Sequence, residues 1–480
     1  MKSTFGLLTA LLTLVWAVPA AAQTKKPNVI IILMDDMGYG DTEPYGMTGV
    51  PTPNFNRVSA EGTRFTHYNV GQPVCTASRA SLLTGAYPNR IGMEGVLLPG
   101  ATRALNPSEQ TLPTLLKKVG YETAMLGKWH LGNKAPYLPL HYGFDSFYGI
   151  PYSHDIWPIG HDNTRVTDPK DIRYSWPALP VYEGDKQVDS ILTFERQARL
   201  TPDLTKRAVA FIKKKHDRPF FLYFAHPLPH VPLVPSAQFQ GKSGLGKFGD
   251  VMMELDWSLG EVLKALDDTK LAQNTILLVC SDNGPWLQFG DNAGSAGGFR
   301  EGKSTTFEGG TRVPLLVRWP GKVKAANVNS HLMTSMDLLP TLVAATGAPL
   351  PEKKIDGLNF LPLWLGQAAE GPREVFYYYY DGNTLRDVRY RHWKLVFPHT
   401  SNSYTGLHGK GGMPSGLVKV QEPMALYDLA HDPGEAYDVQ QLYPEIVEKL
   451  KALAEEARQD LGDGLTNRPG TNVRPAAKVQ

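Results

Sequence analysis

The 480-residue sequence predicts an α/β protein layered around a large, mostly parallel sheet. Three observations lead there. Short apolar runs without polar alternation recur along the chain, as expected of strands buried on both faces. Segments of helical period lie between them, the alternation that builds a sheet covered by helices. The runs then end in charged or polar residues, and open α/β sheets form their ligand sites outside the carboxyl ends of the strands.

Taken in order, the chain opens with Lys2, an apolar run over residues 5–18, and Ala20, Ala21 and Ala22 before Gln23. This is the pattern of a secretory signal peptide over residues 1–22, too short in its apolar part to span a bilayer. The mature chain is therefore expected to be exported, periplasmic or secreted, with no membrane attachment after cleavage. The first strand is expected at residues 28–34 (NVIIILM), with others at 219–225 (PFFLYFA), 275–280 (TILLVC) and 313–318 (VPLLVR). Residues 122–126 (ETAML) give a weaker signal. Leu204, Ala208, Phe211 and Ile212 share one helical face, as do Leu255, Leu259, Val262, Leu263 and Leu266. Leu338, Leu339, Leu342 and Val343 form a third stripe, with Gly347 placed to end that helix.

Near residues 348–354 the composition turns Pro-rich and charged. A main domain is expected over 23–347 and a smaller one over 348–465. Strand-like segments at 375–380, 385–397 and 425–429 predict a small antiparallel sheet, and residues 444–458 an amphipathic helix. Residues 466–480, polar and rich in Pro and Gly, are expected to form a loose tail.

Composition limits function. A formal net charge of +2 argues against a nucleic-acid partner, which draws on a far larger basic excess. The two cysteines allow a single disulfide in an exported chain, but their contexts differ. Cys280 sits in an apolar run, where a thiol acts as a small hydrophobe; Cys75 sits in a polar segment near Arg79. They are read as unrelated.

Four of the runs lead into chemistry. The first meets Asp35 and Asp36, the weak one Lys128 and His130, and the third His226 and His230. The fourth meets Asp282 and Asn283. The oxygen donors Asp35, Asp36, Asp282 and Asn283 suit a hard cation, Ca²⁺ or Mg²⁺. Without one, the carboxylates would repel and raise each other's pKa values. A lone Asp at a strand end is more often a cap or turn residue; matched pairs after two strands favour a metal. Arg79, Lys128, His130, His230 and Lys303 add donors suited to a tetrahedral oxyanion, so phosphate and sulfate esters are both open at this point. His226 is expected to be structural, His154 and Asp155 have no role assigned, and Trp157 and Trp176 are candidate sugar platforms.

The stretch Cys75-Thr76-Ala77-Ser78-Arg79, followed by Ser81-Leu82-Leu83-Thr84-Gly85, closely resembles the type I sulfatase signature. In that family the cysteine is oxidised to formylglycine (3-oxoalanine). Asp35-Asp36, Gly127-Lys128-Trp129-His130, Pro151-Tyr152-Ser153-His154-Asp155, His230, Ser281-Asp282-Asn283-Gly284 and Gly302-Lys303 match in order. The chain looks most like the arylsulfatase A and galactosamine-6-sulfatase branch. It departs from the common pattern at Ala77, usually proline, and Ala86, often arginine, both in the stretch read by the activating enzyme. The resemblance implies an alkaline-phosphatase-like sandwich and one Ca²⁺ held by Asp35, Asp36, Asp282, Asn283 and an oxygen of modified Cys75. It implies that Arg79 anchors the hydrated aldehyde, whose first hydroxyl attacks sulfur while the second later expels sulfate. Lys128 and Lys303 would neutralise the sulfuryl oxygens, His130 would deprotonate the second hydroxyl, and His230 with Lys303 would protonate the leaving group. Ser153 would touch the sulfate. The implied partners are a sulfate-ester small molecule or sulfated glycan, and a formylglycine-generating maturation enzyme. The rival readings are a phosphatase or phosphodiesterase of the same superfamily, using Thr76 or Ser78 and two metals, and a non-catalytic sulfated-sugar-binding protein.

Overall fold

The computed structural model describes residues 25–406 and 408–479; the expected signal peptide lies outside them. The large sheet has ten strands: β1 (Asn28–Met34), β2 (Thr63–Phe65), β3 (Glu122–Lys128), β4 (Ser146–Ile150), β5 (Leu179–Glu183), β6 (Lys186–Ile191), β7 (Phe220–Ala225), β8 (Thr275–Ser281), β9 (Leu315–Arg318) and β10 (Asn327–Asn329). Their spatial order is β10-β2-β9-β8-β1-β7-β3-β4-β5-β6. The central run β8-β1-β7-β3-β4 is parallel. Unbroken apolar sequence follows from burial on both sides. Val29, Ile31 and Leu33 enter one core while Ile30, Ile32 and Met34 enter the other.

Helices fill both faces, as the periodic stripes predict. On one side lie α1 (Cys75–Thr84) and, further along the chain, residues 338–346; on the other lie α2 (Leu200–Lys213) and α3 (Gly246–Asp268). The 338–346 helix, α4 (Leu338–Thr346), ends at Gly347 in the left-handed region, φ 71°, where only glycine is free of Cβ strain. β9, expected to resemble the parallel strands, runs antiparallel to β8. A strand buried on both faces shows the same apolar run in either direction.

The second unit is a four-stranded antiparallel sheet, β11 (Val375–Tyr380), β12 (Thr384–Tyr390), β13 (Trp393–Val396) and β14 (Ala425–Asp428), with α5 (Pro444–Leu461) packed on it. The tail after residue 466 is not loose. Arg468–Pro469 pairs with Gly462–Asp463, and Ala477–Lys478 pairs with Arg103–Ala104 of the main unit. Arg474 grips Glu109 at 2.8 and 2.9 Å. Pairing to distant backbone and a forked ion pair fix it, and neither shows in local composition. Among the described residues, no helix is long and apolar enough to cross a membrane.

Candidate active site

Cys75 and Cys280 are both free and buried; Cys280 lies within β8, and Cys75 opens α1. Its Sγ is 3.3 Å from Asp35 Oδ1. One turn along α1, the fully buried Arg79 donates to Asp282 Oδ2 from Nε at 3.0 Å and Nη2 at 2.8 Å, and to the Lys128 carbonyl at 2.8 Å. The helix thus locks onto the ends of β8 and β3 through one guanidinium fork.

The strand ends and nearby loops bring further charged groups to the same place. Lys128 Nζ lies 2.6 Å from Asp35 Oδ2. Lys303, from a loop after β8, contacts both oxygens of Asp36 at 2.7 and 2.9 Å. His230 Nε2 stands 3.7 Å from Asp36 Oδ2 while its Nδ1 faces the Val231 carbonyl. Lys128 owes its direction to Gly127, whose φ is 101° and where a Cβ would lie 1.8 Å from the Ala225 carbonyl oxygen. Among the expected site residues, Asp35, Asp36, Cys75, Arg79, Lys128, His230, Asp282, Asn283 and Lys303 are joined by direct contacts.

His130 and Ser153 are buried beside them at the ends of β3 and β4. His130 Nε2 is 2.9 Å from the Leu97 carbonyl, which only accepts, so Nε2 carries the proton and Nδ1 keeps its lone pair. That Nδ1 and Ser153 Oγ are buried without a protein partner. His226 is structural, 3.3 Å from Ser258 Oγ, and burial pushes it down to about 3.

Charge is balanced unevenly. Burial raises the Asp35 carboxyl, but Lys128, then His230, Arg79 and Lys303, outweigh it and hold the group well below the usual carboxylate range. Burial and then Asp35 push Asp282 up to about 7. The Cys75 thiol is held high by burial and by Asp35, so it is a poor thiolate nucleophile. Lys303 is held well above the ordinary lysine value because Asp36 overcomes its burial.

The donor set fits a hard divalent cation. Asp35, Asp36, Cys75 and Asp282 can each bring one ligand atom within 4.8 Å of the others. Asn283 turns its Nδ2 to Asp36 and the Gly284 carbonyl, and its Oδ1 is buried without a partner. A bare oxygen next to crowded carboxylates is what a Ca²⁺-type ion coordinates.

The two candidate sugar platforms differ in burial. Trp157 is 1% exposed and donates to the His154 carbonyl and Gln197; Trp176 packs against the core. Trp157 therefore offers no ring face, whereas Trp176 is only partly buried. Trp286 instead lies with its ring centroid 4.5 Å from Lys303 Nζ and 5.5 Å from the His230 ring. Its only sequence signal is position, two residues beyond Gly284. Tyr404, from the second unit, donates to the Lys303 carbonyl at 2.5 Å, and nothing local marks it.

The Sulfatase family model matches residues 27–348, and that of the C-terminal region of aryl-sulfatase matches 371–478. Human arylsulfatase A is 38% identical over 455 residues, covering 90% of this chain and 88% of the relative. Human N-acetylgalactosamine-6-sulfatase is 35% identical, with coverage of 95% and 89%. The crystal structure of the PsFucS1 sulfatase from Pseudoalteromonas sp. superposes with a TM-score of 0.81 at 29% identity, covering 91% of each chain. The family-model matches and the full-length likeness together mean that the chain belongs to the sulfatase family and is a sulfuric ester hydrolase.

Proposed function

We propose that the chain hydrolyses sulfate esters, of sugars or aryl alcohols, with formylglycine made from Cys75 and one Ca²⁺. The observation that carries this reading is the position of Cys75 Sγ. It shares a 4.8 Å cluster with three carboxylates, and Lys128, Arg79 and Lys303 pair with those same carboxylates. Asp35, Asp36, Asp282, Asn283 and an oxygen on residue 75 would hold the ion, which would supply Lewis acidity toward a sulfate oxygen. Formylglycine, as its hydrate, would supply the nucleophilic hydroxyl and a second hydroxyl for sulfate release.

The remaining work falls to the chain. Arg79 fixes the first turn of α1 and so the direction of side chain 75. Lys128 and Lys303 donate to the sulfuryl oxygens as charge builds, the largest electrostatic contribution in such sites. His130, with its Nδ1 lone pair free, would be the group that accepts a proton from residue 75. His230 directs Nε2 inward toward Asp36 and, once protonated there, would with Lys303 return a proton to the leaving oxygen. Ser153 Oγ donates to the sulfate. The name of N-acetylgalactosamine-6-sulfatase supports a sulfated sugar as substrate. The pattern over residues 1–22 supports export, and a maturation enzyme is required as partner.

The test is mass spectrometry of the Cys75 peptide from protein co-expressed with a maturation enzyme, paired with release assays on 4-nitrophenyl sulfate and 4-nitrophenyl phosphate. Conversion of Cys75 with faster sulfate release is expected. Faster phosphate release would return the reading to a phosphatase, and no release of either would favour a binding protein.

A further inference from the structure

Beyond the sulfate pocket, three consecutive residues each bury a polar atom without a protein partner: Ser153 Oγ, His154 Nδ1 and Asp155 Oδ1. Buried polar groups are rarely left so, and here three adjacent ones border His230, whose ring lies 5.6 Å from that of His154. Ser153 belongs to the sulfate site, and His154 Nε2 is fixed on the Pro232 carbonyl at 3.0 Å. Asp155 is held differently. Its Oδ2 lies 3.4 Å from His161 Nε2, and His161 Nδ1 lies 3.4 Å from Arg173 Nη1. Arginine only donates, so His161 Nδ1 accepts and Nε2–H points at Asp155. This chain of contacts fixes one carboxylate oxygen and leaves the other bare.

An aromatic wall stands beside it. Trp286 meets His161 at 5.8 Å, Phe289 at 4.8 Å and His230 at 5.5 Å, always with rings tilted by 60–76°. These are edge contacts; none of the three is stacked on the indole. Lys303, the sulfate-side lysine, sits over the same ring. An indole and a carboxylate, joined here through His161, are the groups that hold a pyranose: its C–H face packs on the ring and its hydroxyls donate to the carboxylate.

We infer that Trp286 and Asp155, braced by His161, form the leaving-group subsite, and that it takes an uncharged pyranose with a free hydroxyl near the scissile sulfate. The inference rests on the sulfatase reading and extends it to substrate class. The carboxylate also selects by repulsion. A second sulfate or a uronate at that hydroxyl would face a like charge with its donor gone, a penalty built against the wrong ligand.

Binding tests this without turnover. The full chain carrying Cys75→Ala is titrated calorimetrically with galactose 6-sulfate, with a galactose disulfate and with inorganic sulfate. The monosulfate is expected to bind at least about 10-fold tighter than the disulfate, a difference the size of one unpaired polar contact. Adding Asp155→Asn should shrink that preference to within about 3-fold, since it removes the like charge. Adding Trp286→Ala should weaken the sugar sulfate at least about 10-fold more than inorganic sulfate. If the disulfate binds as well as the monosulfate, or if neither variant moves its ratio beyond about 2-fold, the subsite is wrong. Failure of the sulfatase reading registers separately, as no sulfate release by the wild-type chain with Cys75 converted.

Discussion

Lys394, on β13, is fully buried where the two units meet, and its removal tests how the catalytic loop is held. Its Nζ lies 2.7 Å from Glu435, 3.7 Å from Glu308 and 4.0 Å from Asp387, and donates to the Thr306 carbonyl at 2.7 Å. Thr306 and Glu308 follow Lys303 by three and five residues, and the Glu308 N–H donates to Glu435 at 2.7 Å. Glu308 keeps Arg312 at 3.4 Å and Arg389 at 3.5 Å; Glu435 has no other ion-pair partner among the described residues. Burial already pushes Glu435 up to about 7, with Lys394 working against that rise. Lys394→Met keeps the volume and strands the carboxyl, so a loss of about 3–5 kcal/mol is expected, the cost of breaking a buried pair. Against a typical total of about 5–15 kcal/mol, that is a large share. Urea unfolding followed by tryptophan fluorescence measures it. The double variant Lys394→Met/Glu435→Gln should recover at least about half, because the uncompensated charge is gone. A single-variant loss below about 1 kcal/mol, or a double variant that is simply additive, would refute this account of the loop's anchorage.

Other outcomes follow from single contacts. Cys75→Ala should abolish sulfate release while changing stability by no more than about 1–2 kcal/mol, since only one small buried group is lost; retained turnover would remove residue 75 from the chemistry. Asp282→Ala should lose bound Ca²⁺ by plasma mass spectrometry, and it should cost about 3 kcal/mol by removing the nearer carboxylate from buried Arg79, leaving Asp35 at 3.5 Å; unchanged metal content would exclude it as a ligand. Gly127→Ala places a Cβ 1.8 Å from the Ala225 carbonyl oxygen at φ 101°, so it should cost at least about 3 kcal/mol or drop kcat by displacing Lys128. Burial pushes Glu254 up to about 7 from 4.5, with the Ser236 N–H opposing. A raised folded pKa gives stability that is full below about pH 4.5 and lost as pH rises through about 7, up to roughly 3 kcal/mol. Unfolding curves between pH 5 and pH 8 should therefore flatten in Glu254→Gln, and an unchanged slope would contradict the assignment.

What the sequence revealed tracks how local the cause was. β1 and β8 were legible because burial on two faces writes itself as an unbroken apolar run, and the helices because burial on one face writes a 3.6 period. The direction of β9 was not, since antiparallel pairing to β8 leaves its buried run unchanged. Nor was the docking of the tail, which depends on Arg474 meeting Glu109 across 365 positions. In the site, residues fixed by strand ends were found. Lys303, held by a loop, was marked only by the family resemblance; Trp286 and Tyr404, which no motif marks, were not expected, and Trp157 went to the core.

The pairing of Asp35 with Asp36 shows why the site required more than strand pattern. In extended backbone, successive side chains point to opposite faces, so adjacent aspartates would be sent to opposite sides of the sheet. Asp36 instead has φ 65°, a left-handed conformation uncommon outside glycine. That turn lets Asp35 meet Cys75 and Lys128 while Asp36 meets Asn283 and Lys303 around one point. His130, Glu301 and Ser304, at φ 61°, 58° and 67°, repeat the device around the same rim. Non-glycine residues hold such angles only when their surroundings over-determine them, at a cost on the order of 1 kcal/mol or more each. Here the surroundings are one ion pair and one hydrogen bond: Asp36 is pinned by Lys303 at 2.7 Å and by the Asn283 amide at 2.7 Å. Backbone strain and charge pairing are therefore one construction, in which the left-handed turn gathers the carboxylates and the gathered charges hold the turn.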